Sequence, residues 1–351
     1  MRRWSVVENH KPLQAIEYPD PEPQGAEIVL EVTHCGVCHS DIHFVKGEFD
    51  LGNGQILKVT DRGVKLPCAP GHEIVGRVVA MGPEAAGAAI GDHRIVYPWM
   101  GCGTCEFCTS DQENMCLNSR SLGTIRDGGF GSHVVVPDSS YLFAFDGIDP
   151  ALASTFACSG LTVYSAIRKL GELRAGTPVL IMGAGGLGRA AMAMLQALGH
   201  DRMFLVDIDE QKRAEAIAAG AERAFDPRAG DPVAEIVAAA EGRLFAALDF
   251  VGNRSTIGMA MDCLSKTGKL VLVGVGGGDY PLSLAGMIFK PRSIIGTITG
   301  SRQDLREVIA LAQSGKLQPM PISCMPKDCA NEALELLEQG KVSGRLVLEG
   351  A

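Results

Sequence analysis

The stretch Gly183-Ala184-Gly185-Gly186-Leu187-Gly188 stands between the apolar run 178–182 and an alanine-rich segment, 189–198. A buried strand that turns into a helix through this many glycines has few folding options. Gly183 permits a tight turn, Gly185 lets an anionic group approach the backbone, and Gly188 lets helix and strand pack closely. The helix start offers free N–H groups and a positive dipole end, which suit a pyrophosphate. A second apolar run, 203–206, ends at Asp207, about twenty residues on, where a carboxylate accepts hydrogen bonds from ribose hydroxyls and repels a 2′-phosphate. NAD is therefore expected over NADP. The plainer reading of Asp207 is an N-cap for the next helix. Helices are expected at 210–220, 233–240 and 303–314, and strands at 246–250, 269–273 and 293–296. This alternation builds a parallel sheet with helices on both faces. The glycine run 274–278 follows one of these strands, at the end of the sheet where a ligand crevice opens, and is expected to border a nicotinamide.

A different chemistry is concentrated between Cys35 and His43. Nine residues there hold two thiols, two imidazoles (His39 and His43), the Ser40 hydroxyl and the Asp41 carboxylate. Thiolate and imidazole are preferred zinc ligands, and a hydroxyl beside an imidazole can pass a proton. Cys38 thus reads as a catalytic zinc ligand, with Ser40 and His43 as the proton path. His72, between Gly71 and Glu73 and ahead of the apolar run 75–80, reads as a second ligand; its plain alternative is a hydrogen-bonded core histidine. Cys158, on the small-residue turn Ala157-Cys158-Ser159-Gly160, reads as the third, with a buried packing role as its alternative.

Cys102, Cys105, Cys108 and Cys116 form a separate cluster whose short spacers can wrap a tetrahedral zinc. Iron–sulfur clusters use similar spacings. With no histidine among them, they are expected to hold a structural ion. The other cysteines, Cys35, Cys68, Cys263, Cys324 and Cys329, read as packing residues. The segment 46–67, with Gly47, Gly52, Gly54 and Gly63, reads as a long loop or loose hairpin, either overhanging a pocket or a plain surface excursion.

A chain of 351 residues exceeds what one core usually organises, so two domains are expected. A net charge of -9 argues against nucleic acid as a partner. No apolar run of membrane-spanning length is expected. Met1-Arg2-Arg3-Trp4 is followed by no apolar segment, so no secretory signal is expected. An odd count of eleven cysteines in a long chain, with some clustered at ligand spacings, then points to metal sites in a reducing, cytoplasmic setting.

The run Gly71-His72-Glu73, with Gly76 and Gly82 beyond it, together with the ligand positions and the glycine turn, resembles the zinc-dependent alcohol dehydrogenases of the medium-chain dehydrogenase/reductase superfamily. The resemblance covers nearly the whole chain. It implies an α/β protein with a GroES-like β-rich catalytic domain, 1–159 and 297–351, carrying a structural zinc lobe at about 98–118. A Rossmann domain with a doubly wound parallel sheet, 160–296, would be inserted between them. It implies NAD, two zinc ions per subunit, reversible oxidation of a primary or secondary alcohol to an aldehyde or ketone, and a homodimer or homotetramer. Glu73 would lie behind the catalytic metal, and Asp41 would orient the ligand histidine. His39 and Arg345 would meet the pyrophosphate, Lys212 the adenosine ribose, and Val275 and Gly276 the nicotinamide. Trp99 resembles a bulky pocket-lining position, with plain packing as the other reading. Polyol dehydrogenases of the superfamily usually carry an acidic residue where Cys158 stands, which favours a simple alcohol here; a polyol dehydrogenase or aldehyde reductase is the alternative.

Overall fold

The structure is a computed structural model that describes residues 1–350. Its second half builds a six-stranded sheet in the order Arg223–Phe225, Met203–Val206, Val179–Met182, Ala246–Asp249, Lys269–Leu272, Ser293–Gly296. Every neighbouring pair is parallel. The strand order reverses between Val179–Met182 and Ala246–Asp249, and a ligand crevice opens at such a switch point. Residues of the three central strands are buried throughout, because helices cover both faces. The helix Gly186–Ala197 follows the glycine turn. Gly183 has φ +94°, and a Cβ on Gly188 would stand 1.9 Å from the Gly183 carbonyl oxygen.

The second sheet is mixed and has seven strands. Ile28–Gly36 lies at its centre, antiparallel to Glu73–Met81, to His133–Val136 and to Arg345–Glu349. The strand Arg345–Glu349 therefore rejoins the first part of the chain. Ile28–Gly36 carries Cys35 into the sheet. The strand Ile322–Pro326, parallel to Arg345–Glu349, carried no clear apolar alternation and was not expected. The segment 46–67 resolves into the hairpin Glu48–Asp50 with Ile56–Lys58 and a short 3-10 turn, Val59–Arg62.

Two expectations are corrected by one element. Residues 150–170 form a continuous helix, in which Phe156–Gly160 is a π-turn rather than a connecting turn. Its first part packs on Ile28–Gly36 and Glu73–Met81, and its last part on the parallel sheet. The π-turn falls at the junction of the two. This helix of 21 residues is long and apolar enough to cross a membrane by length and composition, contrary to expectation. In the fold it is a core helix, with 83% of its apolar window inside the protein.

The Gly188 contact sets a prediction. Gly188→Ala forces a methyl onto the backbone of the glycine turn, and overpacking of this kind costs about 1–3 kcal/mol. The urea midpoint of unfolding should fall accordingly; an unchanged midpoint would mean the turn yields freely.

Candidate metal centre and cofactor cleft

Three segments deliver the sulfur and imidazole donors. Cys38 is the N-cap of the helix His39–Lys46, just after the strand Ile28–Gly36. His72 immediately precedes the strand Glu73–Met81, and Cys158 sits in the π-turn. Their ligand atoms all lie within 4.8 Å of one another. His72 has no solvent exposure, and neither ring nitrogen has a hydrogen-bond partner. Its Nδ1 lies 3.3 Å from Asp41 Oδ1 without hydrogen-bond alignment. Burial opposes charge on His72, but Asp41 and Cys38 beside it raise its basicity on balance. The Cys38 thiol is pushed well down, chiefly by the Cys158 thiol and further by His72, while Cys158 is pushed up, chiefly by Cys38. Two soft donors and an unpartnered imidazole nitrogen fit a zinc with three protein ligands and one open position.

Buried carboxylates hold these donors in place. Asp41 accepts the Cys38 N–H at 2.9 Å and the Gly71 N–H at 3.0 Å, so one side chain fixes the backbone at two ligand segments. Glu73 accepts the Ser159 N–H at 3.1 Å, next to Cys158, and pairs with Arg345 at 2.5 Å. Burial pushes the Glu73 carboxyl up to about 7, with Arg345 opposing. Gly36 leaves the room: a Cβ there would be 1.9 Å from Glu73 Oε2.

The four-cysteine cluster closes as a unit. Sγ–Sγ separations are 3.9 Å for Cys102–Cys108, 3.5 Å for Cys105–Cys108 and 3.7 Å for Cys105–Cys116. Zinc–sulfur bonds of about 2.3 Å in a tetrahedron place sulfurs about 3.8 Å apart. The spacing fits one ion and leaves no space for a multi-atom cluster. Hydrogen bonds from the Thr104 backbone and hydroxyl bring Cys102 down to about 5, while burial pushes Cys108 up to about 12.

The residues expected to meet a cofactor lie on both sheets. The N-cap of Gly186–Ala197 is Gly185, which has no side chain to occupy the N–H groups of the first turn, so they remain available to an anion. A Cβ on Gly186 would be 2.8 Å from Arg345 Cδ, so Arg345 lies against that turn; its Nε is buried without a partner. Burial, with Arg345 and Lys212 adding and Cys38 opposing, holds the His39 imidazole below its ordinary basicity. Asp207 accepts the Ala184 N–H at 2.7 Å and the Asp209 N–H at 2.9 Å. The N-cap of the next helix is Asp209, not Asp207. Val275 and Gly276 are exposed just past the strand Lys269–Leu272, and the Gly276 N–H bonds to the Val251 carbonyl at 3.0 Å.

The Alcohol dehydrogenase GroES-like domain family matches residues 24–145, and the Zinc-binding dehydrogenase family matches residues 186–314. An NAD-dependent alcohol dehydrogenase of Sulfurisphaera tokodaii is 35% identical over 349 residues, 99% of each chain. This chain belongs to the zinc-dependent alcohol dehydrogenases of the medium-chain superfamily. A second NAD-dependent alcohol dehydrogenase, from Saccharolobus solfataricus, is 35% identical over 350 residues, again 99% of each chain. The crystal structure of the alcohol dehydrogenase of Aeropyrum pernix matches with TM-score 0.88 at 29% identity, covering 100% of both chains.

Two features of this alcohol dehydrogenase escaped sequence reasoning. The ring of Phe49 stacks on His43 at 4.9 Å. The Gly52 turn of the same hairpin touches the 274–279 loop: a Cβ on Gly52 would be 2.7 Å from the Gly278 backbone. The glycines of both loops were visible in the sequence, but their meeting is a long-range contact with no local signal.

The cysteine lobe gives the second prediction. Cys105→Ser should lower the zinc count from two to one per chain and reduce the unfolding temperature, because metal-binding energy in such a lobe is folding energy. Metal analysis with calorimetry checks it; two retained zinc ions would contradict it.

Proposed function

We propose that the enzyme oxidises a primary or secondary alcohol to an aldehyde or ketone, reversibly, with NAD as hydride acceptor and a catalytic zinc held by Cys38, His72 and Cys158. The observation that carries this reading is the convergence of two thiols and an unpartnered, fully buried imidazole beside the cofactor cleft. When bound, zinc supplies a Lewis acid that makes a hydroxyl acidic near neutral pH, and NAD takes the hydride. The remaining work falls to the chain. Ser40, two residues from Cys38 and half-buried, accepts the alcohol proton and passes it toward His43. Burial, with Lys46 and His39 adding, holds His43 below its ordinary value. Its imidazole is therefore neutral at pH 7 and can take the proton out to solvent, which its half-buried ring reaches. Asp41 and Glu73 hold the ligand segments. Cys102, Cys105, Cys108 and Cys116 hold the structural zinc.

On the cofactor side, Gly183, Gly185, Gly186, Leu187 and Gly188 form the pyrophosphate turn, and His39 and Arg345 supply positive charge beside it. Asp207 and Lys212 meet the adenosine ribose, and Val275 and Gly276 border the nicotinamide. The GroES-like domain, 1–159 with 297–351, and the Rossmann domain, 160–296, form the two walls of the cleft. Trp99 beside His72 and Phe49 beside His43 give the site apolar surfaces, which favour a simple alcohol over a polyol. A homodimer or homotetramer is the assembly proposed: the strand Ser293–Gly296 ends its sheet, and Leu284, Ile288 and Phe289 beside it are 77–78% exposed, a patch that association would cover. Eleven cysteines with no disulfide among them suit a reducing, cytoplasmic compartment.

The test is NAD-linked oxidation across a series of alcohols. Cys38→Ala should abolish turnover, and Ser40→Ala should slow it by about 10²–10⁴-fold, the range of general acid–base effects, with both zinc ions retained. Because the His43 value is depressed, the acid limb contributed by this relay should fall below about pH 6.5: activity is present above it and lost as pH drops through it. In His43→Gln that limb should disappear; an unchanged pH profile would remove His43 from the path. Asp207→Gly should weaken NAD binding and raise the NADP-to-NAD ratio of kcat/KM, and an unmoved ratio would free Asp207 of that role.

A further inference from the structure

We propose that Trp99 is a positioning residue for the catalytic metal: its indole N–H holds the π-turn that presents Cys158, while its ring braces His72. The proposal rests on the catalytic-zinc reading above.

The sequence marks Trp99 only as a large side chain ahead of the cysteine lobe. The structure gives it two specific contacts, each to a different ligand segment. Its Nε1 donates to the Ala157 carbonyl at 2.8 Å, and Ala157 is the residue before Cys158. Its ring lies 5.2 Å from the His72 ring, centroid to centroid, tilted by 52°.

The Ala157 carbonyl lies in the irregular part of its helix. In a regular α-helix it would accept from the Leu161 N–H, four residues on. In the π-turn that N–H goes to the Phe156 and Cys158 carbonyls instead. Trp99 donates to a carbonyl that the Leu161 N–H does not serve. On the other side of Cys158, the Ser159 N–H goes to Glu73 at 3.1 Å. The peptides flanking Cys158 are thus tied to two different side chains. Without the Trp99 bond, the turn has less reason to stay wide, and the Cys158 sulfur loses a restraint on its direction.

The base of this strut is itself held. The Pro98 carbonyl accepts from Leu122 at 3.0 Å, and the Met100 carbonyl from Arg120 at 2.8 Å. A wall residue that only shaped the pocket would need bulk, but not an N–H aimed at a ligand-bearing turn. Groups that orient metal ligands from behind typically change metal affinity about 10–100-fold when removed.

Trp99→Phe keeps a ring against His72 and deletes the donor. A second variant, with β-(3-benzothienyl)alanine placed at position 99, keeps the bicyclic shape and still lacks the N–H, which covers the case where phenylalanine disturbs folding. Zinc release to a chromogenic chelator is followed for the purified two-zinc enzyme, and the visible bands are recorded with cobalt in place of the catalytic zinc. In both variants one zinc should leave about tenfold faster, the other at the wild-type rate, and the cobalt bands should shift. Wild-type release and an unmoved cobalt spectrum, with only KM altered across the alcohol series, would make Trp99 a pocket wall and overturn the proposal. A wild-type enzyme whose single zinc is lost in Cys105→Ser would overturn the catalytic-zinc reading itself, and this proposal with it.

Discussion

Two thiols and an imidazole from positions 38, 72 and 158 are crowded together where His72 has no water and Cys158 very little. Two buried carboxylates, Asp41 and Glu73, stand beside them. A buried polar atom left without a partner costs about 1–3 kcal/mol, and His72 contributes two such nitrogens. The group makes physical sense around a cation, which accepts the imidazole lone pair and offsets the thiolate charge. Metal binding at such a place is pH-dependent, because the thiols must first lose their protons. The ligand segments and their supporting carboxylates are arranged about this requirement.

The support is built from backbone contacts as much as from charge. Asp41 spans Cys38 and Gly71, and Glu73 reaches Ser159. Arg345 arrives from near the other end of the chain and joins Glu73 in a pair with almost no exposure. Removing one member of such a pair leaves an uncompensated buried charge, typically at a cost of about 3–5 kcal/mol. The same Arg345 lies against Gly186 on the glycine turn. A single guanidinium therefore touches both the Glu73 carboxylate and the glycine turn at the start of the helix Gly186–Ala197.

The cysteine lobe solves a different problem. Its only regular pieces are Glu106–Thr109 and Glu113–Met115, and Leu117 beside them is 91% exposed. Little apolar surface is available to order it. Four sulfurs at the spacing of one tetrahedral ion replace a hydrophobic core, and this lobe begins directly after the loop that carries Trp99.

How much was legible in the chain follows the range of the interactions involved. The glycine turn, the strand–helix alternation and the four close cysteines are local patterns, and each has one economical structural solution. The sequence alone therefore determined the parallel α/β half, its anion-binding helix start and the clustered thiols. It also marked Cys38, His72 and Cys158 as candidate ligands, although nothing local says that residues so far apart converge. That was left to the tertiary structure, as was the π-turn at Cys158, because the widening answers to the packing of one helix across two sheets. Arg345 on Glu73, Phe49 on His43, Trp99 on Ala157 and the meeting of Gly52 with Gly278 were decided at the same level. Each depends on which surfaces the folded chain brings face to face, and side-chain periodicity carries no record of that.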